Sequence, residues 1–179
     1  HADEDRLVWN PVLTAGVDTQ DDRLEVEVVG WGLDHESWDV DYRIFYGDPN
    51  RPEVWQDLLD YLLSQFVHVC GAKMKIEATC VDTGGHCTEA VYRFCKKNER
   101  HRIFAVKGNP NPGQPIVGKP SKRNKGKVKL FPLGVDSAKE LIYSRLRIQE
   151  PGPGYCHFPL DRDQEFFDQL TAEKRTTKY

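Results

Sequence analysis

Three strand-forming segments follow one another near the start of the chain, and they limit the fold more than any other feature. Residues 12–17 are apolar, residues 24–28 alternate apolar side chains with glutamates, and residues 37–46 (SWDVDYRIFY) are rich in β-forming residues. Asp21 and Asp22 provide a turn between the first two segments. Together the segments predict an antiparallel meander of three strands.

Helical and strand patterns alternate after the meander. Pro52 lies where a helix can begin, and apolar residues follow it at helical spacing. The later predicted elements are strands at 76–81, 103–106 and 128–135, a helix after Gly84–Gly85, a helix with Asp136 or Ser137 as its N-cap, a short strand at 155–158 and a helix at 161–172. This order predicts a mixed sheet, antiparallel and then parallel, with helices on both faces.

Composition is typical of a single globular domain from a reducing compartment. The 179 residues are 39% hydrophobic and 30% charged. No apolar run approaches the ~20 residues that span a bilayer, so no membrane contact is expected. The polar opening HADEDR does not resemble a signal peptide, and we expect the chain to be a piece of a longer protein. There is no GxxxxGK[ST] phosphate loop, which argues against an ATPase of that type.

The five cysteines favour free thiols over a disulfide framework or a zinc site. Their number is odd, and none forms a CxxC pair. Cys80, His86, Cys87 and Cys95 lie close together in the sequence, but their spacing matches no common zinc template. The sequence therefore predicts reduced thiols of a cytosolic protein.

Two predicted strands end on an aspartate that is followed by a threonine. Asp18 stands in GVDT and Asp82 stands in CVDT. If the two strands are neighbours in the sheet, the two carboxylates converge at one edge. Carboxylate oxygens suit Mg²⁺ or Mn²⁺, and two or three such acids can hold the two ions used in phosphoryl transfer, as in ribonuclease-H-like nucleases. The structural alternative is that Asp18 begins a hairpin turn and Asp82 caps a glycine turn or the next helix.

A basic run lies in the second half of a chain whose net charge is −3. Residues 119–129 (KPSKRNKGKVK) contain no acid and six cations: Lys119, Lys122, Arg123, Lys125, Lys127 and Lys129. They follow the Pro/Gly-rich NPNPGQP, which favours a mobile loop or a hairpin. Such a segment is either a solvated loop or a contact for DNA phosphates.

Taken in order, these motifs resemble one family. The chain is similar to the C-terminal nuclease domain of the large terminase subunit of lambda-like tailed phages, the GpA-type packaging family. The motifs that carry the resemblance are TAGVDTQDDRLEVEVVGWG, VDTGGH followed by VYRF, FAVKG, PSKRNKGKVKL, GVDSAKELIYSRL, HFP and QLTAE.

The resemblance implies a fold, an activity and a set of partners. It implies a ribonuclease-H-like fold and an endonuclease that uses Mg²⁺ or Mn²⁺ to cut concatemeric double-stranded DNA in the host cytoplasm. Residues 1–179 would be one nuclease domain, preceded in the full protein by an ATPase motor domain and lacking the C-terminal end of the family domain. The small terminase subunit and the portal would be partners of the full-length protein.

The family's metal-binding acids carry over in part. Asp18 matches the first acid and Asp82 the second. The family's Asn-Glu-Ala-Leu-Asp motif is absent, so Asp136 is the candidate for a third metal ligand, unless it is an N-cap; Glu173 is a weaker candidate.

Three further side chains could serve the same site. Lys107, in FAVKG, could neutralise the phosphate or position a water, or could be a structural ion-pair partner. Lys139 has the same two interpretations. His86 could reach the active edge or simply be exposed.

Two other functions are compatible with the sequence. A resolvase-like or transposase-like nuclease of the same fold would prefer branched DNA or DNA ends. A non-catalytic DNA-docking module would use the basic run alone, with the aspartates as turn caps, and would bind DNA without a metal requirement.

Overall fold

The computed structural model describes residues 12–172, and a seven-stranded mixed sheet lies at its centre. In chain order the elements are β1 (Val12–Thr19), β2 (Arg23–Trp31), β3 (Ser37–Tyr46), α1 (Pro52–Leu62), β4 (Phe66–Val67), β5 (Lys73–Met74), β6 (Ile76–Asp82), α2 (Thr88–Lys97), β7 (Ile103–Asn109), β8 (Leu130–Gly134), α3 (Val135–Leu146), β9 (Cys156–His157) and α4 (Gln164–Leu170).

The sheet joins an antiparallel half to a parallel half. The strand order is β8-β7-β6-β1-β2-β3-β9. The pairs β1–β2 and β2–β3 are antiparallel, which confirms the predicted meander. The pairs β1–β6, β6–β7 and β7–β8 are parallel, and so is the short pair β3–β9. This arrangement is consistent with the predicted ribonuclease-H-like fold.

One face of the sheet, here the core face, is covered by α1 and α2. Alternate residues of β1 and β2, among them Leu13, Val17 and Val26, are buried on it. Pro52 starts α1 at a position where its missing N–H costs nothing, and the helix buries one apolar stripe. Trp55 of α1 packs on Phe94 of α2 with ring centroids 4.8 Å apart, which joins both helices to one core.

The other face, here the second face, carries the alternate residues of the same strands. Arg145 of α3 lies 5.9 Å from the ring of Trp31 on this face. Just before α4, the Nε and Nη2 atoms of Arg162 donate hydrogen bonds to Asp39 at 2.6 and 2.9 Å. The predicted helices on both faces are therefore present, although α3 has no buried residue.

Several predicted boundaries are wrong. The strand expected at 128–135 is Leu130–Gly134. The N-cap of α3 is Gly134, and neither Asp136 nor Ser137 caps the helix, because both lie within its first turn. The small hairpin β4–β5 has no counterpart in the prediction, since each strand has only two residues and no readable alternation. Within residues 12–172, no helix is long and apolar enough to cross a membrane.

Candidate active site

Asp18 and Asp82 lie beside each other on neighbouring parallel strands. The register pairs Val17 with Val81, and each aspartate is the next residue along its strand. Both valines are buried on the core face, so strand alternation places both aspartates on the second face. The expected convergence of the two strand ends is therefore present.

A glycine turn holds Asp82 in place. A Cβ atom on Gly84 would lie 2.7 Å from Oδ2 of Asp82, so the carboxylate occupies space that only glycine leaves open. Thr83 is buried, and its N–H and hydroxyl both donate to the Val106 carbonyl, at 2.9 and 2.8 Å. Thr88 donates back to the Thr83 carbonyl at 3.0 Å, which ties the turn to the start of α2.

Asp18 does not close the hairpin turn, and Asp82 does not cap α2. Asp18 lies inside β1, opposite Glu25, and the following turn is closed by a hydrogen bond from the Gln20 N–H to the Arg23 carbonyl. The Gln20 side chain donates to the Asp18 carboxylate. The residue at the N-cap of α2 is Cys87, so Asp82 does not cap that helix. Among the described residues, the Asp82 carboxylate has no hydrogen-bond or ion-pair partner.

A third carboxylate, Glu25, lies next to Asp18 but is already engaged. It lies across from Asp18 on β2. Arg23 donates to its Oε1 and the Tyr42 hydroxyl to its Oε2, both at 2.7 Å. Burial, together with the hydrogen bond to Glu25, raises the pKa of Tyr42 to about 12, so the phenol remains a donor at neutral pH. Sequence reasoning missed Glu25 because it looks like any solvent-facing position of an alternating strand.

The donor set fits part of a Mg²⁺ or Mn²⁺ site. Asp18 and Asp82 offer hard oxygen ligands, and the space beside Gly84 lets the Asp82 carboxylate lie against the turn. No three His, Cys, Asp or Glu side chains within residues 12–172 are grouped closely enough to hold a metal ion. Asp136 is exposed in the first turn of α3, which follows β8, two strands away from β6. Glu173 lies outside the described residues.

The other candidate side chains are distributed around this edge. Lys107 follows Val106, which pairs with Asp82, so alternation places Lys107 on the core face and not beside the carboxylates. The Nδ1 atom of His86 lies 3.3 Å from Oδ1 of Asp21, at the exposed tip of the same edge. Lys139 lies about one turn into α3. The roles of Lys107, His86 and Lys139 stay predictions.

The basic run forms a hairpin with β8. Val117 pairs with Leu133 and Ser121 pairs with Leu130, both antiparallel. The Asn124 side chain closes the turn, because it accepts from the Val128 N–H at 3.0 Å and donates to the Val128 carbonyl at 2.7 Å. Of the six predicted DNA-binding cations, Lys129 is half-buried. The other five are exposed: Lys119, Lys122, Arg123, Lys125 and Lys127.

The sequence matches one protein family along almost its whole length. A family model described as terminase large subunit gpA, endonuclease domain, matches residues 8–179. The large terminase subunit of Escherichia phage lambda is 39% identical over 184 residues, which cover 98% of this chain and 28% of that protein. The large terminase subunit of Enterobacteria phage P21 is 34% identical over 167 residues, which cover 90% of this chain and 26% of that protein.

This chain thus spans about a quarter of the length of these curated relatives. No solved structure matches it. The family model covers far more than half of the chain. The chain belongs to the family of terminase large subunit gpA endonuclease domains.

Proposed function

We propose that this chain is the metal-dependent endonuclease of a viral DNA-packaging terminase and hydrolyses phosphodiester bonds of concatemeric double-stranded DNA. The observation that carries the proposal is the side-by-side placement of Asp18 and Asp82 at the ends of two parallel strands. Family membership supports a nuclease, and the two similar phage proteins, both large terminase subunits, support the terminase context.

Asp18 and Asp82 would hold Mg²⁺ or Mn²⁺. When bound, a pair of such ions lowers the pKa of an attacking water and stabilises the leaving oxygen. The chain's own residues prepare this site: Gln20 orients the Asp18 carboxylate, and Gly84 leaves room for that of Asp82. A further ligand is required, for which Asp136 and Glu173 remain the candidates in this sequence.

The wider assignments extend the same proposal. The exposed cations of residues 119–127 would bind DNA phosphates, which needs no reading of base sequence. An ATPase motor domain would precede this domain in the full protein, placing the nuclease toward its C-terminus. The small terminase subunit and the portal would bind the full-length protein in the host cytoplasm.

Plasmid cleavage tests the proposal directly. Nicking and linearisation are measured with Mn²⁺, Mg²⁺ or EDTA for the parent chain, for Asp18→Asn and for Asp82→Asn. We expect EDTA to stop cutting, and each substitution to lower it by about 100-fold or more, because each removes a carboxylate that would hold the metal ion, and the ion supplies the positive charge that stabilises the transition state. Urea unfolding midpoints should change little, since both carboxylates lie at an exposed edge. Metal-dependent cutting that survives in either variant contradicts the assignment.

A second candidate function is a DNA-docking module without catalysis. It is favoured by one observation, the lack of a third metal-binding side chain grouped with the pair within residues 12–172. It predicts that the parent chain binds DNA equally with EDTA or Mn²⁺ and cuts neither plasmid nor linear duplex. The same assay on the full-length large subunit separates the two explanations. If this chain lacks only a metal ligand that the rest of the subunit supplies, the full-length subunit cuts DNA. If the domain only docks DNA, the full-length subunit does not cut either.

A further inference from the structure

Two segments that are separate in the sequence concentrate positive charge on one surface. Residues 96–100 lie at the end of α2 and the turn after it, and residues 122–129 form the turn before β8. Together they contain eight of the 25 lysines and arginines but only one of the 28 acids, Glu99. This surface, defined by residues 96–100 and 122–129, is called the basic face below.

Direct contacts join the two segments. The Lys96 ammonium donates to the Gly126 carbonyl at 2.9 Å. Gly126 packs so closely on α2 that an added Cβ would lie 3.2 Å from Cβ of Tyr92. Lys129 pairs with Glu99 at 3.1 Å, and this bond lowers the pKa of the Glu99 carboxyl. The single acid is therefore ionised and already neutralised.

The remaining cations of the basic face point to solvent. The exposed ones are Lys97, Arg100, Lys122, Arg123, Lys125 and Lys127, and none forms a salt bridge with an acid of the described part of the chain. Unpaired cations this dense repel one another in the free protein. An anionic polymer would relieve that repulsion and release its own condensed counterions.

The basic face lies away from the carboxylate pair. Val128, in the turn, is buried in the core formed with α1 and α2, whereas Asp18 and Asp82 lie on the second face. Laterally, β8 is two strands from β6, which carries Asp82, and three strands from β1, which carries Asp18; these separations are about 10 and 14 Å at ~4.8 Å per strand. A phosphate held by the basic face is therefore not the phosphate that lies at the carboxylates.

We propose that the basic face binds the backbone of duplex DNA that flanks the cut, at phosphates other than the scissile one. Duplex is favoured over single-stranded DNA, because residues 96–100 and 122–129 contain no aromatic side chain on which bases could stack. The binding part depends only on the charges described above. The position of the bound DNA relative to the cut rests on the proposed nuclease function.

Fluorescence anisotropy with a labelled 40-base-pair duplex in EDTA tests the binding part without any cutting. One variant neutralises the turn (Lys122→Gln, Arg123→Gln, Lys125→Gln), and another neutralises the end of α2 (Lys97→Gln, Arg100→Gln). The matched control removes two exposed cations elsewhere (Lys73→Gln, Arg147→Gln). We expect both basic-face variants to weaken binding severalfold or more and to reduce the salt slope by about one per lost phosphate contact. The control should match the parent.

Several results would overturn the proposal. One is unchanged affinity in both basic-face variants, and another is an equal loss in the control. A loss confined to the turn variant would refute a single face that includes α2, and tighter binding of a 40-nucleotide single strand would refute the duplex assignment. Single Lys125→Gln, with a smaller effect in the same direction, guards against misfolding of the multiple variants.

The position relative to the cut needs a second readout. If the parent cuts, the basic-face variants should raise the DNA concentration for half-maximal cutting severalfold and leave the rate at saturating DNA unchanged. A lower saturating rate would place the basic face at the scissile phosphate instead. If the parent does not cut, the nuclease proposal fails while the anisotropy result still decides whether the basic face binds DNA.

Discussion

At the scale of single residues, Asp18 and Asp82 lie at matching positions of neighbouring strands, but their carboxylates contact different neighbours. Asp18 accepts a hydrogen bond from Gln20, whereas Asp82 has no such partner in the described chain and lies against Gly84. Glu25 lies opposite Asp18 on β2, but Arg23 and Tyr42 occupy its oxygens. A carboxylate with at least one oxygen left without a partner is what distinguishes a candidate metal ligand from an acid whose two oxygens are both engaged.

Gly84→Ala should impair the candidate site without unfolding the protein. The new methyl group would lie 2.7 Å from Oδ2 of Asp82 and would push the carboxylate aside. We expect metal-dependent plasmid cutting to fall by about tenfold or more, because misplacing a catalytic group by about an ångström costs up to about 100-fold. Gly85→Ala is the matched control, since its nearest atom would be the Thr19 carbonyl oxygen at 3.6 Å. Equal activity of both alanine variants would contradict this account.

Glu27→Gln tests an electrostatic cost on the second face. Burial raises the pKa of the Glu27 carboxyl, and Asp39 adds to the shift while Arg162 opposes it. Because folding raises this pKa, the free energy of unfolding falls as the pH rises above the ordinary glutamate pKa of 4.5 and Glu27 ionises. Well below pH 4.5 the carboxyl is protonated in both states and has no such effect. Glu27→Gln should therefore raise the free energy of unfolding more at pH 7 than at pH 4.

The measurement is urea unfolding at both pH values. Glu150→Gln, at an exposed glutamate beyond α3, serves as the control and should show no such difference. A larger gain for Glu27→Gln at pH 4 than at pH 7 would show that burial is not the dominant influence on this carboxyl.

At the scale of secondary-structure elements, the start of α3 is fixed by packing against the 114–115 loop and not by a side chain that caps the helix. Gly134 is the N-cap, and its N–H donates to the Pro115 carbonyl at 3.1 Å. The Ser137 hydroxyl, expected as a cap, donates instead to the Gln114 carbonyl at 2.6 Å. The segment before the basic hairpin therefore holds the junction between β8 and α3.

Gly134→Ala should loosen that junction. A Cβ atom there would collide with the Gln114 carbonyl oxygen and would lie 2.6 Å from that of Pro115, and backbone atoms cannot easily move away. We expect a loss of about 1–3 kcal/mol in urea unfolding, the usual cost of overpacking. Gly16→Ala, whose Cβ would meet nothing within 4 Å, should change stability by less than about 1 kcal/mol. A tolerated Gly134→Ala would show that the 114–115 loop is free to shift.

At the scale of the whole molecule, the two faces of the sheet are covered unequally. The helices α1 and α2 each bury at least four side chains on the core face, while α3 buries none on the second face. Leu141 and Ile142 of α3 are 37% and 43% exposed. The stability of the described chain therefore resides mainly in the core face.

Hydrogen exchange should reveal this asymmetry. We expect amides of α2 to exchange at least about tenfold more slowly than those of α3, which corresponds to ~1.4 kcal/mol in opening free energy. Peptide-level exchange followed by mass spectrometry would measure it, with β1 as a protected internal reference. Equal protection of α2 and α3 would mean that α3 is held by contacts other than those described.

The sequence by itself determined the elements and the candidate acids, because alternation, helical spacing and turn chemistry act between residues close in the chain. The meander, the strand ends at Asp18 and Asp82 and the basic run were all readable in this way. Only the tertiary structure decided which residues meet, since strand pairing and packing join positions far apart. It placed Lys107 on the core face, engaged Glu25 beside Asp18, and joined the end of α2 to the basic turn.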